Sequence, residues 1–280
     1  MSSDATMDPV TDGAPTVVIE ARPESTSARL RELWRYRSFY GFLFKELMTR
    51  RTRGTMLGIW WLVLRQLLPV VIMIFTFSSV NPVETPNGVA YPMFFLSGYV
   101  TWLLFQRALT YLPRALTWTQ SIMKRTYFPR LLVPLSGFAP ALIDFAILVV
   151  ATLVVAGVMT WQTGQVPFRG GLPMLGFIPA VVLSLAFALA IGIPTGVAAL
   201  FFRDVRFAVR YVSQLFMFVT PVVYPVTFIP EQYRWIMYTL NPMAAVIELS
   251  RWSLTGAGEI HPGFRSEEHT SELQSRFGIS

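Results

Sequence analysis

Residues 131–161 read LLVPLSGFAPALIDFAILVVATLVVAGVMTW, and this stretch decides the fold class. It contains a single charged residue, Asp144. A helix that crosses the hydrocarbon core of a bilayer needs roughly 20 predominantly apolar residues. The stretch is long enough and apolar enough to meet that requirement, so it predicts a membrane-spanning helix.

Further apolar runs lie on both sides of this one, at 55–80, 91–112, 172–202 and 207–229. No soluble fold of ordinary size needs so many runs of this length. The sequence therefore predicts an all-α integral membrane protein with five spans.

The composition supports the same class. Of the 280 residues, 53% are hydrophobic and only 14% are charged, whereas soluble domains carry about 25% charged residues. The chain has no cysteine and two histidines, which excludes disulfides and thiolate metal sites and leaves little for a histidine-ligated metal. The net charge of +7 is explained by arginines on the cytoplasmic face of the membrane rather than by binding to nucleic acid.

Lysine and arginine are concentrated in alternate connections between the apolar runs. They are frequent at 29–53, at 113–130 and at 203–210, whereas the connections at 81–90 and 162–171 contain only Arg169. Because basic residues accumulate on the cytoplasmic side of membrane proteins, the N-terminus is predicted to be cytoplasmic.

The N-terminal region divides into two segments. Residues 1–28 are polar and rich in Pro, Ser, Thr and Asp, which is typical of a disordered tail. Residues 29–53 place leucines and tyrosines on one helical face and arginines largely opposite, which favours an amphipathic helix lying in the membrane interface over an ordinary solvated helix.

The segment after the fifth run is amphipathic and is divided by Asn241-Pro242. Its two parts, 231–240 and 243–254, are too short to cross a bilayer. We expect two short helices that enter the outer leaflet and return, because helix breaks at membrane depth are tolerated where they are buried in protein. A sixth span is then expected after about residue 256.

The last residues, 265–280, differ in character from everything before them. RSEEHTSELQS, at 265–275, is the translation of a widely used sequencing-library adapter, and the match continues to the last residue. We interpret 265–280 as adapter read-through rather than as an acidic cytoplasmic tail. On this interpretation the membrane-embedded region is 54–264, and the expected sixth span is missing from this sequence.

Three charged residues, Arg65, Asp144 and Glu248, lie deepest within apolar sequence. Charges are costly in hydrocarbon and normally face a polar interior or a partner. Two interpretations remain open for each of them: a hydrophilic pathway at the centre of the bundle, or a structural role as an ion pair or as a side chain that extends towards the membrane interface.

The cytoplasmic connection 113–130 can form one short helix, 114–124, between Pro113 and Pro129. Its apolar residues Leu116, Ile122 and Met123 would otherwise face water, so it is interpreted as a docking surface for a soluble partner, with a plain connector as the alternative. The sequence has no GxxxxGK[ST], HExxH or GxSxG motif. Any energy for uphill transport must therefore come from another chain.

Taken in order, several short motifs resemble the membrane permease of ABC-type polysaccharide exporters, the group that exports O-antigen, teichoic acid and mycobacterial galactan. The motifs are RGTMLGIWW at 53–61, FRDV at 202–205, TPVVYP at 220–225, and NP at 241–242 followed by Arg251. The likeness covers about 30–264. The chain departs from the family where it has Arg65-Gln66 in place of a proline, and in lacking the final helix.

The resemblance implies a bacterial cytoplasmic-membrane protein with six spans, a homodimer, and two copies of a separate ATP-binding subunit that holds ATP and Mg²⁺. No cofactor is expected in this chain. Three groups of residues acquire roles from the resemblance. The coupling helix that would contact the ATPase includes Arg114, Leu116, Ile122, Met123, Lys124 and Arg125. The outer gate would include Thr220, Pro221, Tyr224, Pro225, Asn241 and Pro242. The basic residues near the substrate headgroup would include Arg50, Arg51 and Arg53.

The substrate implied by the resemblance is a lipid-linked polysaccharide. An ABC exporter of drugs or small lipids with the same topology is the main alternative. A membrane-embedded glycosyltransferase acting on polyprenyl lipids is a third, but it would need an acidic catalytic motif, and the loops offer only Glu84, Asp204 and Glu231 on different sides.

Overall fold

The computed structural model describes residues 60–80, 82–123 and 132–258, together with 41, 42, 45, 46, 49 and 58. The described residues between 41 and 49 are helical. The predicted tail 1–28, most of the predicted interfacial helix 29–53, and the adapter-like segment 265–280 lie outside the described residues.

The described chain is helical throughout its main elements, joined by short turns. The helices are α1 (Trp60–Phe75, continued by a π-helical turn at Thr76–Val80), α2 (Tyr91–Met123), α3 (Leu132–Thr163), α4 (Phe177–Phe201, entered through a 3₁₀ turn at Leu172–Gly176), α5 (Asp204–Val219), α6 (Glu231–Leu240) and α7 (Pro242–Thr255).

Helix α2 is the centre of the bundle, because α1, α3, α4, α5 and α7 all pack against it. Its N-terminal half is called the outer half here, and its C-terminal half the inner half, after the orientation predicted from the sequence. The outer half carries fully buried aromatic and aliphatic side chains, including Phe94, Phe95, Trp102 and Leu103. A helix enclosed by neighbours on all sides does not face lipid, so it can hold serine, threonine and arginine where a lipid-facing helix would not.

Small residues allow α2 and α4 to approach closely. The buried face of α4 consists of Ala180, Ser184, Ala188, Gly192, Gly196 and Ala199. A methyl group placed on Gly192 would lie 2.7 Å from Leu112 Cδ1 and 3.2 Å from Leu112 Cβ. Membrane helices associate through such faces because close packing replaces the hydrophobic driving force that lipid removes.

Large apolar side chains cover the outside of the bundle. On α1 these include Trp60, Leu68 and Ile72, and on α3 they include Val150 and Val154, each more than half exposed. Among the described residues, three helical segments are long and apolar enough to cross a membrane: Trp60–Val80, Ser136–Thr163 and Leu172–Phe201. An apolar outer surface around a core that also encloses charged and hydroxyl side chains is typical of a membrane protein.

These three segments correspond to the predicted spans 55–80, 131–161 and 172–202. Helices α2 and α5 cover the predicted spans 91–112 and 207–229, but neither meets the same combined test of length and hydropathy. Helix α5 is shorter than such a segment, with 16 residues. Helix α2 is enclosed by the other helices of the bundle. Six spans per subunit therefore stays a prediction.

One boundary in the prediction was wrong. From the sequence, the second span is predicted to end at residue 112, and a separate helix, 114–124, is predicted to begin after Pro113. Instead α2 runs without interruption from Tyr91 to Met123 and contains Pro113. Pro113 is buried, and its Cα lies 3.4 Å from the position that a Cβ on Gly196 would occupy. Because α2 packs closely on α4 at this point, the helix continues through a proline that would end an isolated helix.

Candidate functional site

The outer hairpin, α6 and α7, is built around the break at Asn241-Pro242. Asn241 ends α6, and its backbone N–H donates a hydrogen bond to the carbonyl of Met237. Its own carbonyl accepts a hydrogen bond from the N–H of Ala244 at the start of α7. Its side-chain Nδ2 donates to Thr220 Oγ1 at 2.8 Å. Pro242 occupies the first turn of α7, where no N–H bond is needed. The predicted bounds of both helices, 231–240 and 243–254, are confirmed to within a residue or two.

Helix α7 is held in the protein by a fully buried arginine, Arg251. Its Nη1 lies 2.8 Å from Glu248 Oε1, and its Nη2 donates to the carbonyl of Val222 at 2.5 Å. Its Nε donates to the carbonyl of Phe94 at 3.3 Å, and the guanidinium carbon lies 3.9 Å from the centre of the Phe94 ring. One side chain therefore joins α7, the turn after α5 and the outer end of α2.

A second contact lies next to Arg251. Ser250 Oγ donates to the carbonyl of Ser97 at 2.5 Å, and Tyr91 Oη donates to the carbonyl of Val223 at 2.9 Å. Gly98 makes room for the arginine, because a methyl group there would lie 2.9 Å from Arg251 Nε. The outer hairpin is thus docked on α2 by polar contacts that are shielded from solvent.

The six predicted gate residues lie in this region. Thr220, Pro221, Pro225 and Asn241 are buried, Tyr224 is half-buried and donates to the carbonyl of Val219 at 3.0 Å, and Pro242 is exposed. The structure brings Thr220 and Asn241 into direct contact. Whether these residues move during transport stays a prediction.

A second charged cluster lies in the inner half of the bundle around Asp144 of α3, which is fully buried. Its carboxylate lies 4.0 Å from Arg65 Nη2 of α1 and 3.3 Å from Arg107 Nε of α2, and it accepts a hydrogen bond from Tyr111 Oη at 3.1 Å. Gln66 Nε2 donates to the backbone carbonyl of Asp144. The cluster connects α1, α2 and α3.

The three charges singled out from the sequence are therefore all in ion pairs, which was one of the two interpretations left open. Arg65 and Asp144 come together, whereas Glu248 lies apart and pairs with Arg251. Sequence reasoning missed Arg107 and Tyr111. Their spacing of four residues on α2, facing an aspartate of the next span, was the available signal.

The predicted coupling residues lie at the inner end of α2 or beyond it. Arg114 is exposed, and Leu116 is partly buried, with its Cδ1 packed over Gly196 of α4. The expectation that Leu116 faces water is therefore wrong, since it contacts α4. Ile122 and Met123 fall in the last turn of the helix, where side chains are not described, and Lys124, Arg125, Arg50, Arg51 and Arg53 lie outside the described residues.

No group of three or more histidine, aspartate or glutamate residues in the described part of the chain could hold a metal ion. The carboxylates that lie inside the bundle, Asp144 and Glu248, are engaged by arginines.

Known proteins resemble this chain over most of its length. Residues 39–255 match the family model described as ABC-2 type transporter. An O-antigen export system permease protein RfbA from Klebsiella pneumoniae is 31% identical over 198 residues, which cover 70% of this chain and 72% of that protein. The protein of the same name from Myxococcus xanthus is 28% identical over 221 residues, covering 78% and 80%.

Proposed function

Because the chain belongs to the ABC-2 type transporter family of membrane proteins, we propose that it is the permease through which a lipid-linked polysaccharide leaves the cytoplasm. The observation that carries the substrate class is the likeness to O-antigen export permeases from two bacteria. The apolar outer surface of the bundle and the ion pairs buried inside it support a protein embedded in lipid.

The proposal assigns the energy source to a separate ATP-binding subunit, because the sequence has no phosphate-binding loop of its own. Two copies of that subunit would drive a homodimer of this chain. The inner end of α2 would contact the ATPase, through Ile122 and Met123 of its last turn and through Lys124 and Arg125 beyond it. Leu116 is not included in this contact, since it packs on α4.

In the same proposal the outer hairpin closes the conduit on the external side. Thr220 and Asn241 would form part of that closure, since they join the end of α5 to the break between α6 and α7. The chain would be a multi-pass protein of the bacterial cytoplasmic membrane with its N-terminus inside.

The test is export by the intact system. The full chain and a nucleotide-binding subunit encoded beside it would be expressed in a strain whose own export permease is deleted, and polysaccharide on the cell surface would be measured. We expect export with the unaltered chain and loss of export when the ATPase carries an inactivated phosphate loop. Surface polysaccharide that does not depend on this chain, or efflux of small lipids or drugs in its place, would contradict the proposed substrate.

The coupling contact has its own prediction. Replacing Ile122 and Met123 together by alanine removes apolar contact area from the inner tip of α2, so co-purification of the ATPase and export should both fall. A matched control is Leu153→Ala with Val154→Ala, an adjacent pair on the exposed apolar face of α3. Equal behaviour of the two double variants would show that the inner tip of α2 is not the contact.

A further inference from the structure

Helices α2 and α5 pack against each other and carry four arginines towards their inner ends. Arg107 and Arg114 lie on the same face of α2, two helical turns apart, with Tyr111 between them. Arg206 and Arg210 lie one turn apart on α5. Arg114 is close enough to Arg210, Arg107 and Arg206 for their charges to act on it. Further out, the rings of Trp102 and Phe216 are 6.3 Å apart, which fixes the two helices against each other.

This group of arginines, named here the α2–α5 arginine face, is only partly neutralised. Asp144 contacts Arg107. Within the described residues no carboxylate forms an ion pair with Arg114, Arg206 or Arg210. Like charges in proximity repel each other, so a bound anion would stabilise this arrangement.

The partial burial of two of the arginines favours a small anion over a folded protein as their ligand. Arg107 is 29% exposed, and Arg206 is partly buried with its Nε buried and without a hydrogen-bond partner. A phosphate group can reach recessed guanidinium groups and accept paired hydrogen bonds from them. A folded acidic partner would meet Arg114 and Arg210, which are exposed, but not the recessed pair.

The surface beside the α2–α5 arginine face is apolar. Along α5, Phe207, Tyr211, Leu215 and Phe218 are all more than half exposed and recur at helical spacing. An anion attached to a hydrocarbon chain could place its phosphates on the arginines and its chain along this stripe. A soluble phosphate would use only the first of these features.

We propose that the α2–α5 arginine face binds the phosphate or diphosphate group of a lipid, with Arg206 and Arg210 as its principal ligands. The inference rests on the proposed function for the source of that lipid, which is the carrier of the exported polysaccharide. The prediction that Arg50, Arg51 and Arg53 lie near the headgroup concerns residues outside the described part of the chain and stays a prediction beside this one.

The test measures lipid binding by the full chain in phosphatidylcholine nanodiscs. The probes are a polyprenyl diphosphate without sugar, phosphatidylglycerol and inorganic pyrophosphate. For Arg206→Gln with Arg210→Gln we expect affinity for the polyprenyl diphosphate to fall roughly tenfold per arginine, since charge-assisted hydrogen bonds are the strong ones. Lysine at both positions keeps the charge but loses the planar fork, so an intermediate loss is expected.

Arg234→Gln is the matched control, because it removes the same charge from α6 in the outer hairpin, far along the chain from the α2–α5 arginine face. Its affinity for the polyprenyl diphosphate should equal that of the unaltered chain. A thermal unfolding scan of each variant separates loss of the site from loss of the fold, and the lysine pair keeps the test decisive if the glutamine pair does not fold.

Each alternative has a distinct outcome. Unchanged affinity in the glutamine pair overturns the proposal. An equal loss for phosphatidylglycerol assigns the site to bulk anionic lipid and overturns its link to the substrate. Loss of ATPase co-purification with lipid binding intact makes this face a protein contact, which also overturns it. Arginine-dependent diphosphate binding by a chain that exports no polysaccharide would contradict the proposed function and leave the anion site standing.

Discussion

At the scale of single residues, Arg251 is the side chain on which the outer hairpin depends most. It is fully buried, and its contacts reach Glu248, Phe94 and Val222 in three different segments. A buried ion pair is weak evidence for stability by itself, because desolvation offsets the attraction. Here Nε and Nη2 of the guanidinium each donate to a backbone carbonyl as well, so removing the arginine takes a partner from a buried carboxylate and from two carbonyls.

Arg251→Ala should therefore destabilise the protein by about 3–5 kcal/mol, the range for breaking one side of a buried ion pair. The measurement is the unfolding midpoint of the detergent-solubilised chain followed by tryptophan fluorescence. Glu248→Leu combined with Arg251→Met should recover much of the loss, since neither charge is then left unpaired.

Arg234→Ala serves as the control for this series, because it removes the same charge from the hairpin at a position that is only partly buried, where the Nε donates to the carbonyl of Ile229. Its effect should be smaller than that of Arg251→Ala, because interactions of a partly exposed charge are screened by solvent. If Arg234→Ala lowered stability as much as Arg251→Ala, removing any arginine from the hairpin would have the same effect. The special importance of Arg251 for stability would then be wrong.

At the scale of elements, the packing of α2 on α4 is set by side chains that are small on one side and large on the other. Gly192 and Gly196 of α4 receive Leu112 and Leu116 of α2. Gly137 of α3 approaches the backbone of Leu112 from the other side, at 3.2 Å for a methyl group placed there. The inner half of α2 is therefore fitted between two neighbours with little free space.

Gly192→Val should lower stability by about 1–3 kcal/mol through overpacking against Leu112. Gly157→Val is the matched control, because Gly157 lies in helix α3 with no atom within 4 Å of an added Cβ. Thermal unfolding of both variants in the same detergent decides the question. If the two midpoints fall equally, the glycine face of α4 does not set the approach of the helices.

The same elements show what the sequence could and could not predict. The bounds of α6 and α7 followed from Asn241-Pro242, since an asparagine that ends a helix and a proline that starts one act locally. The continuity of α2 did not follow, because what carries the helix past Pro113 is packing on Gly196, a residue far along the chain. For the same reason Asp144 was found from sequence, whereas its contacts with Arg107 and Tyr111 required the fold.

At the scale of the whole molecule, the described residues form one bundle with large apolar side chains on its outer surface and two charged clusters buried inside it. The two charged clusters lie at different levels of α2, around Phe94–Gly98 and around Arg107–Tyr111. Loops on the outer side also pack together, since Arg169 stacks on Trp252 at 4.6 Å and Asn87 donates to the carbonyl of Gly256 at 2.8 Å. These contacts place the connections before α2 and before α4 on the same side as the hairpin.

The orientation of the bundle can be tested directly, because the chain has no native cysteine. Gln165→Cys, in the exposed connection between α3 and α4, should react with a membrane-impermeant maleimide in intact spheroplasts. Ser27→Cys and Arg203→Cys should react only after lysis, since positive charge keeps these segments inside. Labelling of Ser27→Cys in intact spheroplasts would overturn the predicted topology and, with it, the placement of the ATPase contact.

The unbroken course of α2 has a mechanical consequence. At 1.5 Å per residue its 33 residues form a rod of about 50 Å, well beyond the roughly 30 Å of bilayer hydrocarbon. The predicted inner tip of this helix and the end that packs against the outer hairpin are parts of one continuous helix. A tilt of about 5° about one end displaces the other end by roughly 4 Å, which is more than the length of a hydrogen bond. On the proposed function, a movement of the ATPase at the inner tip would therefore displace the contacts of the outer hairpin.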